Sequence, residues 1–264
     1  MIQKKILKIK DLSVVINNNI LLDNISISIF ENEVLGIIGE SGSGKTITAL
    51  SILRLLHNKA KVSGSIVFND YDLLQCSDSK IKSIRGNEIS IIFQDPQSSF
   101  NPLISIGEQI SETIHFNNGI PWKESKEKAI DLLRQVEIKN PALRYKDFPH
   151  HFSGGMLQRA MIAIAISSSP RILIADEPTT ALDRIVERKI IELLLRLKNK
   201  YKFSLILISH DLRLVSNYSD RIAIFNKGRI VEKGKTIDII TCPTDSYSKS
   251  LFSFSRIMNN KFNK

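Results

Sequence analysis

Eight consecutive residues, Gly39-Glu40-Ser41-Gly42-Ser43-Gly44-Lys45-Thr46, follow the pattern G-x-x-x-x-G-K-[ST] of a loop that cradles phosphates. The apolar run Val34 to Ile38 precedes it and a helix-forming stretch, Lys45 to Leu56, follows it, which is the strand–loop–helix setting the motif needs. Glycines let successive backbone N–H groups converge on an anion, and the helix N-terminus adds its partial positive charge. Lys45 is placed to reach the β- and γ-phosphates of a nucleotide, and the Thr46 hydroxyl to ligate Mg²⁺. A second group of reactive residues closes the apolar run Ile172 to Ala175, namely Asp176 and Glu177. A buried strand delivers Asp176 to the mouth of a sheet, where it can hold the Mg²⁺ shell, and Glu177 can act on a water as general base. Ser153-Gly154-Gly155, opening a helix, supplies a hydroxyl, bare amides and a helix dipole, the parts of a second anion site.

These residues need a sizeable scaffold. The chain has 264 residues, 42% of them hydrophobic, which suits one large α/β domain with room for an inserted subdomain. No apolar stretch reaches the ~20 residues that span a bilayer, and the Lys-rich start is not a signal peptide. The two cysteines, Cys76 and Cys242, make neither a disulfide framework nor a metal cluster, so the chain reads as soluble and cytoplasmic. A net charge of +10, spread without a basic block, reads as a solvated surface before it reads as a membrane or nucleic-acid face.

The first hundred residues alternate Ile/Val-rich strands with polar turns, and Met1 to Lys10 reads as an edge strand. Ser65 to Phe68 and Glu88 to Phe93 are further strands. From about Leu103 to Ala165 the periodicity is helical, as in Ala129, Leu132, Leu133 and Val136, with Pro121 in that helix's first turn and Asn140-Pro141 at its end. Strand texture resumes at Ile172 to Ala175, Leu205 to Ser209 and Ile222 to Phe225, with a helix from Arg184 to Lys200. The pattern predicts a parallel sheet interrupted by a helical insertion.

With Phe152-Ser153-Gly154-Gly155-Met156-Leu157-Gln158-Arg159 lying ahead of Asp176-Glu177-Pro178-Thr179, the sequence resembles the ATP-binding-cassette (ABC) family. Gln94 matches the Q-loop glutamine, Ala181-Leu182-Asp183 the D-loop, and Ser209-His210-Asp211 the switch histidine. The resemblance implies an α/β ABC ATPase cassette with a P-loop (RecA-like) core sheet and an inserted helical subdomain. It implies one ABC ATPase domain over residues 1–264: a nucleotide-binding core at about 1–102 and 170–235, a helical signature subdomain at about 103–169, and a tail at about 236–264. ATP and Mg²⁺ are the implied cofactors. Gly39 to Thr46 would hold the phosphates, Thr46, Gln94 and Asp176 the metal, and Glu177, His210 and Gln94 the catalytic roles. Ser153, Gly154, Gly155 and Asp183 would bind nucleotide, with Ser153 and Gly155 acting on the ATP held by an opposing subunit. The family commonly stacks an aromatic ring on adenine; the aligned position here is Ile16, losing roughly 1 kcal/mol of stacking.

The wording Phe93-Gln94-Asp95-Pro96-Gln97-Ser98-Ser99-Phe100-Asn101-Pro102-Leu103 is similar to peptide and nickel importer ATPases. That branch implies two transmembrane permease subunits, a second and non-identical ATPase subunit, a substrate-binding protein, and a peripheral place on the cytoplasmic face of a bacterial inner membrane. The short tail, with Cys242 alone, resembles the nickel or metal-chelate members more than the iron–sulfur-bearing peptide members. The contrasting expectation is an ABC ATPase that acts on nucleic acid or ribosomes, which one cassette without heptads or a Cys cluster disfavours.

Overall fold

The structure, a computed structural model, describes residues 4–180 and 183–253. Ala181 and Leu182 of the expected D-loop lie outside the described residues, as do 1–3 and the end of the tail, 254–264. In chain order the elements begin with β1 (Lys5–Ile16), β2 (Asn19–Phe30), β3 (Val34–Gly39), α1 (Lys45–Ile52), β4 (Lys61–Phe68), β5 (Tyr71–Asp72) and α2 (Asp78–Ile84). They continue with β6 (Ile89–Ile92), α3 (Ile106–Asn118), α4 (Trp122–Gln135), α5 (Pro141–Arg144), α6 (Gly154–Ile166), β7 (Ile172–Asp176) and α7 (Arg184–Tyr201). The last are β8 (Ser204–Ser209), α8 (Leu212–Tyr218), β9 (Arg221–Asn226), β10 (Arg229–Lys235) and α9 (Thr236–Thr241).

The chain forms two compact units, one built from residues up to Lys82 and from Ser204 onward, the other from Ser83–Phe203. In the first unit, every residue of β3 (VLGIIG) and of β8 (SLILIS) is buried, the continuous apolar run of strands covered on both faces. β3 runs parallel to both β8 and β9, and β10 returns antiparallel on β9. A separate antiparallel sheet has the order β2-β1-β4-β5. This corrects the expectation for the N-terminus: β1 is not an edge strand but pairs with β2 on one side and β4 on the other. Its alternating buried residues, Leu7, Ile9, Leu12 and Val14, fit an interior strand with one face in the core. Glu33, 1% exposed, anchors the β2–β3 turn by accepting from the Phe30 N–H at 2.6 Å and from Arg221 of β9 at 3.2 Å. Burial pushes its carboxyl above the usual range, with the Phe30 N–H and Arg221 holding it back.

The second unit carries the helical insertion and the parallel pair β6–β7. α3 opens on a capping box: the Ser105 hydroxyl accepts from the Glu108 N–H, and the Glu108 carboxylate accepts from the Ser105 N–H. α4 buries Ser125, Ala129, Leu132 and Leu133 at helical spacing. Two helix ends differ from expectation. α1 stops at Ile52, where Arg54 turns left-handed (φ 49), short of Leu56. Asn140-Pro141 does not end α4, because left-handed Glu137 (φ 62) has already done so; Asn140 caps α5 instead. Gly107 in α3 lies under the Tyr145 ring, and a Cβ there would come within 2.1 Å of Tyr145 Cδ2. Gly107→Ala is therefore expected to destabilise the chain by about 1–3 kcal/mol, a fall of roughly 2–10 °C in a thermal melt read by circular dichroism.

Candidate functional site

The phosphate loop hangs between the end of β3 and the start of α1. Gly39, the last residue of β3, is packed so closely that a Cβ would lie 2.3 Å from the Phe225 carbonyl oxygen of β9. Gly44, at the N-cap of α1, takes φ 105, and a Cβ there would lie 2.5 Å from Leu22 Cδ2. Only glycine fits both demands. The loop closes through Ser43 N–H donating to Glu40 O at 3.2 Å and Gly228 N–H donating to Ser43 O at 3.0 Å, so the β9–β10 turn braces it. Lys45 is buried, with its Nζ donating to the Gly39 and Glu40 carbonyls at 2.9 Å each. The loop thus stores the cation on its own carbonyls, poised over the anion site at the helix N-terminus. The Ser43 hydroxyl is 2% exposed and finds no partner among the described residues. Thr46 is exposed at the second position of α1, and Ile16 is half-buried at the end of β1. His210 follows β8, also in this unit, and Asp211 beside it caps α8 through the Arg213 and Leu214 N–H groups.

The tail reaches the same loop. Glu232 of β10 accepts from the Thr244 N–H and hydroxyl at 2.8 Å each, and residues 246–253 that follow are helical. Tyr247 on this segment has its phenol raised by burial and then by the Glu40 carboxylate. The link of Tyr247 to Glu40 comes from folding β10 and the tail back on the loop.

In the second unit, β7 ends with Asp176, 4% exposed, and Glu177 follows in a left-handed conformation (φ 48). Such a φ costs a non-glycine residue about 1–2 kcal/mol and turns the chain sharply at the strand end. Gln94, two residues past β6, donates through Nε2 to Glu177 Oε2 at 3.3 Å. Two residues expected to share the catalytic task are therefore in contact, brought together because β6 and β7 pair in parallel with Ile92 opposite Ala175. The Gln94 loop is itself pinned by a residue the sequence reading passes over: Gln109 of α3 accepts from the Asn101 N–H and donates to the Asn101 and Ile104 carbonyls. Ser153 is the N-cap of α6, accepting from the Met156 N–H at 3.3 Å, and Gly154 and Gly155 form its first turn. Gly155 faces Val186 of α7, 3.1 Å from an ideal Cβ position. Asp183 caps α7 through the Ile185 and Val186 N–H groups at 3.0 Å each.

Against this geometry the comparisons are unambiguous. The family model for ABC transporters matches residues 22–180. The chain belongs to the ABC transporter family. It is 44% identical over 231 residues to the dipeptide transport ATP-binding protein DppD of Escherichia coli (strain K12), covering 87% of this chain and 71% of that protein. It is 39% identical over 245 residues to the oligopeptide transport ATP-binding protein AppD of Bacillus subtilis (strain 168), covering 92% and 75%. A dimeric ATP-binding cassette, MJ0796, solved in a post-hydrolysis state with ADP and Pi, superposes with a TM-score of 0.77 at 26% identity, covering 87% of this chain and 98% of that one. The fold is that of an ABC ATPase cassette, and this ABC chain is an ATPase that binds ATP. Among the described residues no helix is long and apolar enough to cross a membrane.

The signature helix is tied to its neighbours by charge at Arg159. Glu137 pairs with Arg159 of α6 at 2.6 Å and with Arg196 of α7 at 2.7 Å. Burial pushes its carboxyl up, but the two guanidinium groups outweigh that and hold it below the usual value of 4.5. A lowered folded value means that the carboxylate's stabilisation is present above pH 4.5 and fades as pH falls through the folded pKa. Glu137→Gln is expected to lower the melting temperature at pH 7, and the gap from wild type should shrink as pH falls below 4.5 and the native carboxylate is also neutralised.

Proposed function

We propose that this chain is the ATP-hydrolysing subunit of a bacterial importer for dipeptides or oligopeptides, seated peripherally on the cytoplasmic face of the inner membrane. The observation that carries the reading is the Glu177 carboxylate, set at the end of a buried strand and held by Gln94, in a chain that aligns along most of its length with peptide-transport ATPases. The names of those relatives favour peptides over nickel or a metal chelate, and they lend no support to a nucleic-acid or ribosome ATPase.

The residues present fit a Mg-nucleotide. Thr46 of the first unit, and Gln94 and Asp176 of the second, each carry an oxygen of the kind a hard divalent cation takes. Mg²⁺, when bound, neutralises charge on the β- and γ-phosphates. Lys45 exchanges the Gly39 and Glu40 carbonyls for phosphate oxygens, and the backbone N–H groups of residues 42–46 donate to the rest. Glu177 accepts a proton from a water as its oxygen bonds to the γ-phosphorus and the bond to the β–γ bridging oxygen breaks, giving ADP and phosphate. His210 contacts the γ-phosphate, and Gln94 reports nucleotide state to a partner through its exposed loop. Ser153, Gly154, Gly155 and Asp183 act on the ATP of an opposing, non-identical ATPase subunit, so that nucleotide joins the two. Leu103, 84% exposed beside the Gln94 loop, offers an apolar contact to one of two permease subunits, which a substrate-binding protein loads.

Glu177→Gln keeps the shape of the base and removes its ability to take a proton. Turnover is expected to fall roughly 10²–10⁴-fold while ATP binding is retained, and the variant should move to a larger species on sizing chromatography with Mg-ATP. Asp176→Asn should instead weaken Mg²⁺-dependent binding itself. Wild-type turnover in Glu177→Gln overturns the assignment of the base. Energised uptake of radiolabelled peptide, or of nickel, in cells carrying or lacking this chain decides the cargo.

A further inference from the structure

The hydroxyl of Tyr247 is buried, and among the described residues no group completes a hydrogen bond to it. A buried phenol without a partner costs stability, so its position calls for a reason. We propose that Tyr247 is a positioning residue for the phosphate loop, closing a hydrogen bond to Glu40 when nucleotide fills that loop. The proposal rests on Gly39 to Thr46 being the nucleotide site.

The tail that carries Tyr247 is fastened just ahead of it. Glu232 of β10 accepts from the Thr244 N–H and hydroxyl at 2.8 Å each and from the Asp245 N–H at 3.4 Å. Asp245 then caps the helical segment 246–253, accepting from the Tyr247 N–H at 2.8 Å and the Ser248 N–H at 3.4 Å. Ser248 and Phe252, four residues apart on one face of that segment, are buried. The ring of Tyr247 thus leaves a backbone held on both sides. β10 is itself joined to the loop, since the Gly228 N–H of the β9–β10 turn donates to the Ser43 carbonyl at 3.0 Å. The phenol meets the loop at Glu40, whose carboxylate and backbone N–H both bear on it.

Glu40 shapes the loop through its peptide: its carbonyl accepts from Lys45 Nζ at 2.9 Å and from the Ser43 N–H at 3.2 Å. Its side chain is exposed and carries the wrong charge for a loop that holds phosphate. A phenol can accept from an N–H and donate to a carboxylate at once. In doing both for Glu40 it fixes that peptide and turns the carboxylate away from the phosphates. Like charge drives the closure, because an incoming phosphate repels the carboxylate toward the donor. The hydroxyl takes no part in bond breaking, so its loss falls on nucleotide affinity and leaves the chemical step alone.

Tyr247→Phe removes the hydroxyl and keeps the ring. In the purified full chain it is expected to raise the Kd for Mg-ATP roughly 2- to 10-fold in titration calorimetry, the worth of one hydrogen bond, with kcat at saturation unchanged. On a Glu40→Ala background, which has no carboxylate to meet the phenol, adding Tyr247→Phe should change Kd by less than about twofold. Wild-type affinity in Tyr247→Phe, a change confined to kcat or to melting temperature, or an undiminished effect on the Glu40→Ala background overturns the proposal. Lys45→Ala tests the underlying reading separately. If it binds Mg-ATP as wild type does, the loop is not the nucleotide site; if it loses binding while Tyr247→Phe keeps it, the role of Tyr247 alone fails.

Discussion

The phosphate loop has to offer bare backbone N–H groups to an anion while packed against two strands, and that close approach sets the terms for the first unit. The Phe225 carbonyl of β9 and the Leu22 side chain of β2 occupy the space where side chains at positions 39 and 44 would go. β9 and β2 must then be held in place, which the Glu33–Arg221 pair and the parallel β3–β9 ladder accomplish. A buried lysine is costly without partners, and here two loop carbonyls hold its ammonium group.

The second unit works by a different device. Its reactive carboxylate sits on a strained residue, and the strain is held by neighbours whose own side chains are bonded: Thr179 to Glu187, Thr180 to Glu177 and Gln109 to the Gln94 loop. Glu137 ties the signature helix to α7 through two guanidinium groups, Thr179 ties the turn after Glu177 to the same helix, and Gln109 ties the Gln94 loop to α3.

Much of this is written locally in the chain. The order of Gly, Lys and Thr in the phosphate loop, the Asp-Glu pair after an apolar strand and the Ser-Gly-Gly helix start are short motifs, because the chemistry needs particular atoms on adjacent residues. Fully buried β3, β7 and β8 are equally legible, since a run of apolar residues bounded by turns has few other uses. The ends of α1 and α4 were not legible: left-handed Arg54 and Glu137 carry no glycine signal, and their side chains bond to residues distant in sequence, Arg54 to the Cys76 carbonyl and Glu137 to Arg159.

The sequence by itself determined where the glycine-rich loop turns between strand and helix and which carboxylates stand at the end of a buried strand, because backbone conformation and three or four neighbouring side chains settle those. Only the tertiary structure decided that β1 is an interior strand, that Tyr247 lies against the phosphate loop, and that one oxygen of Glu177 is shared by Gln94 and Thr180. Hydrogen-bond partners distant in sequence leave no period or motif behind; they exist when strand register and helix packing have fixed the positions of both ends.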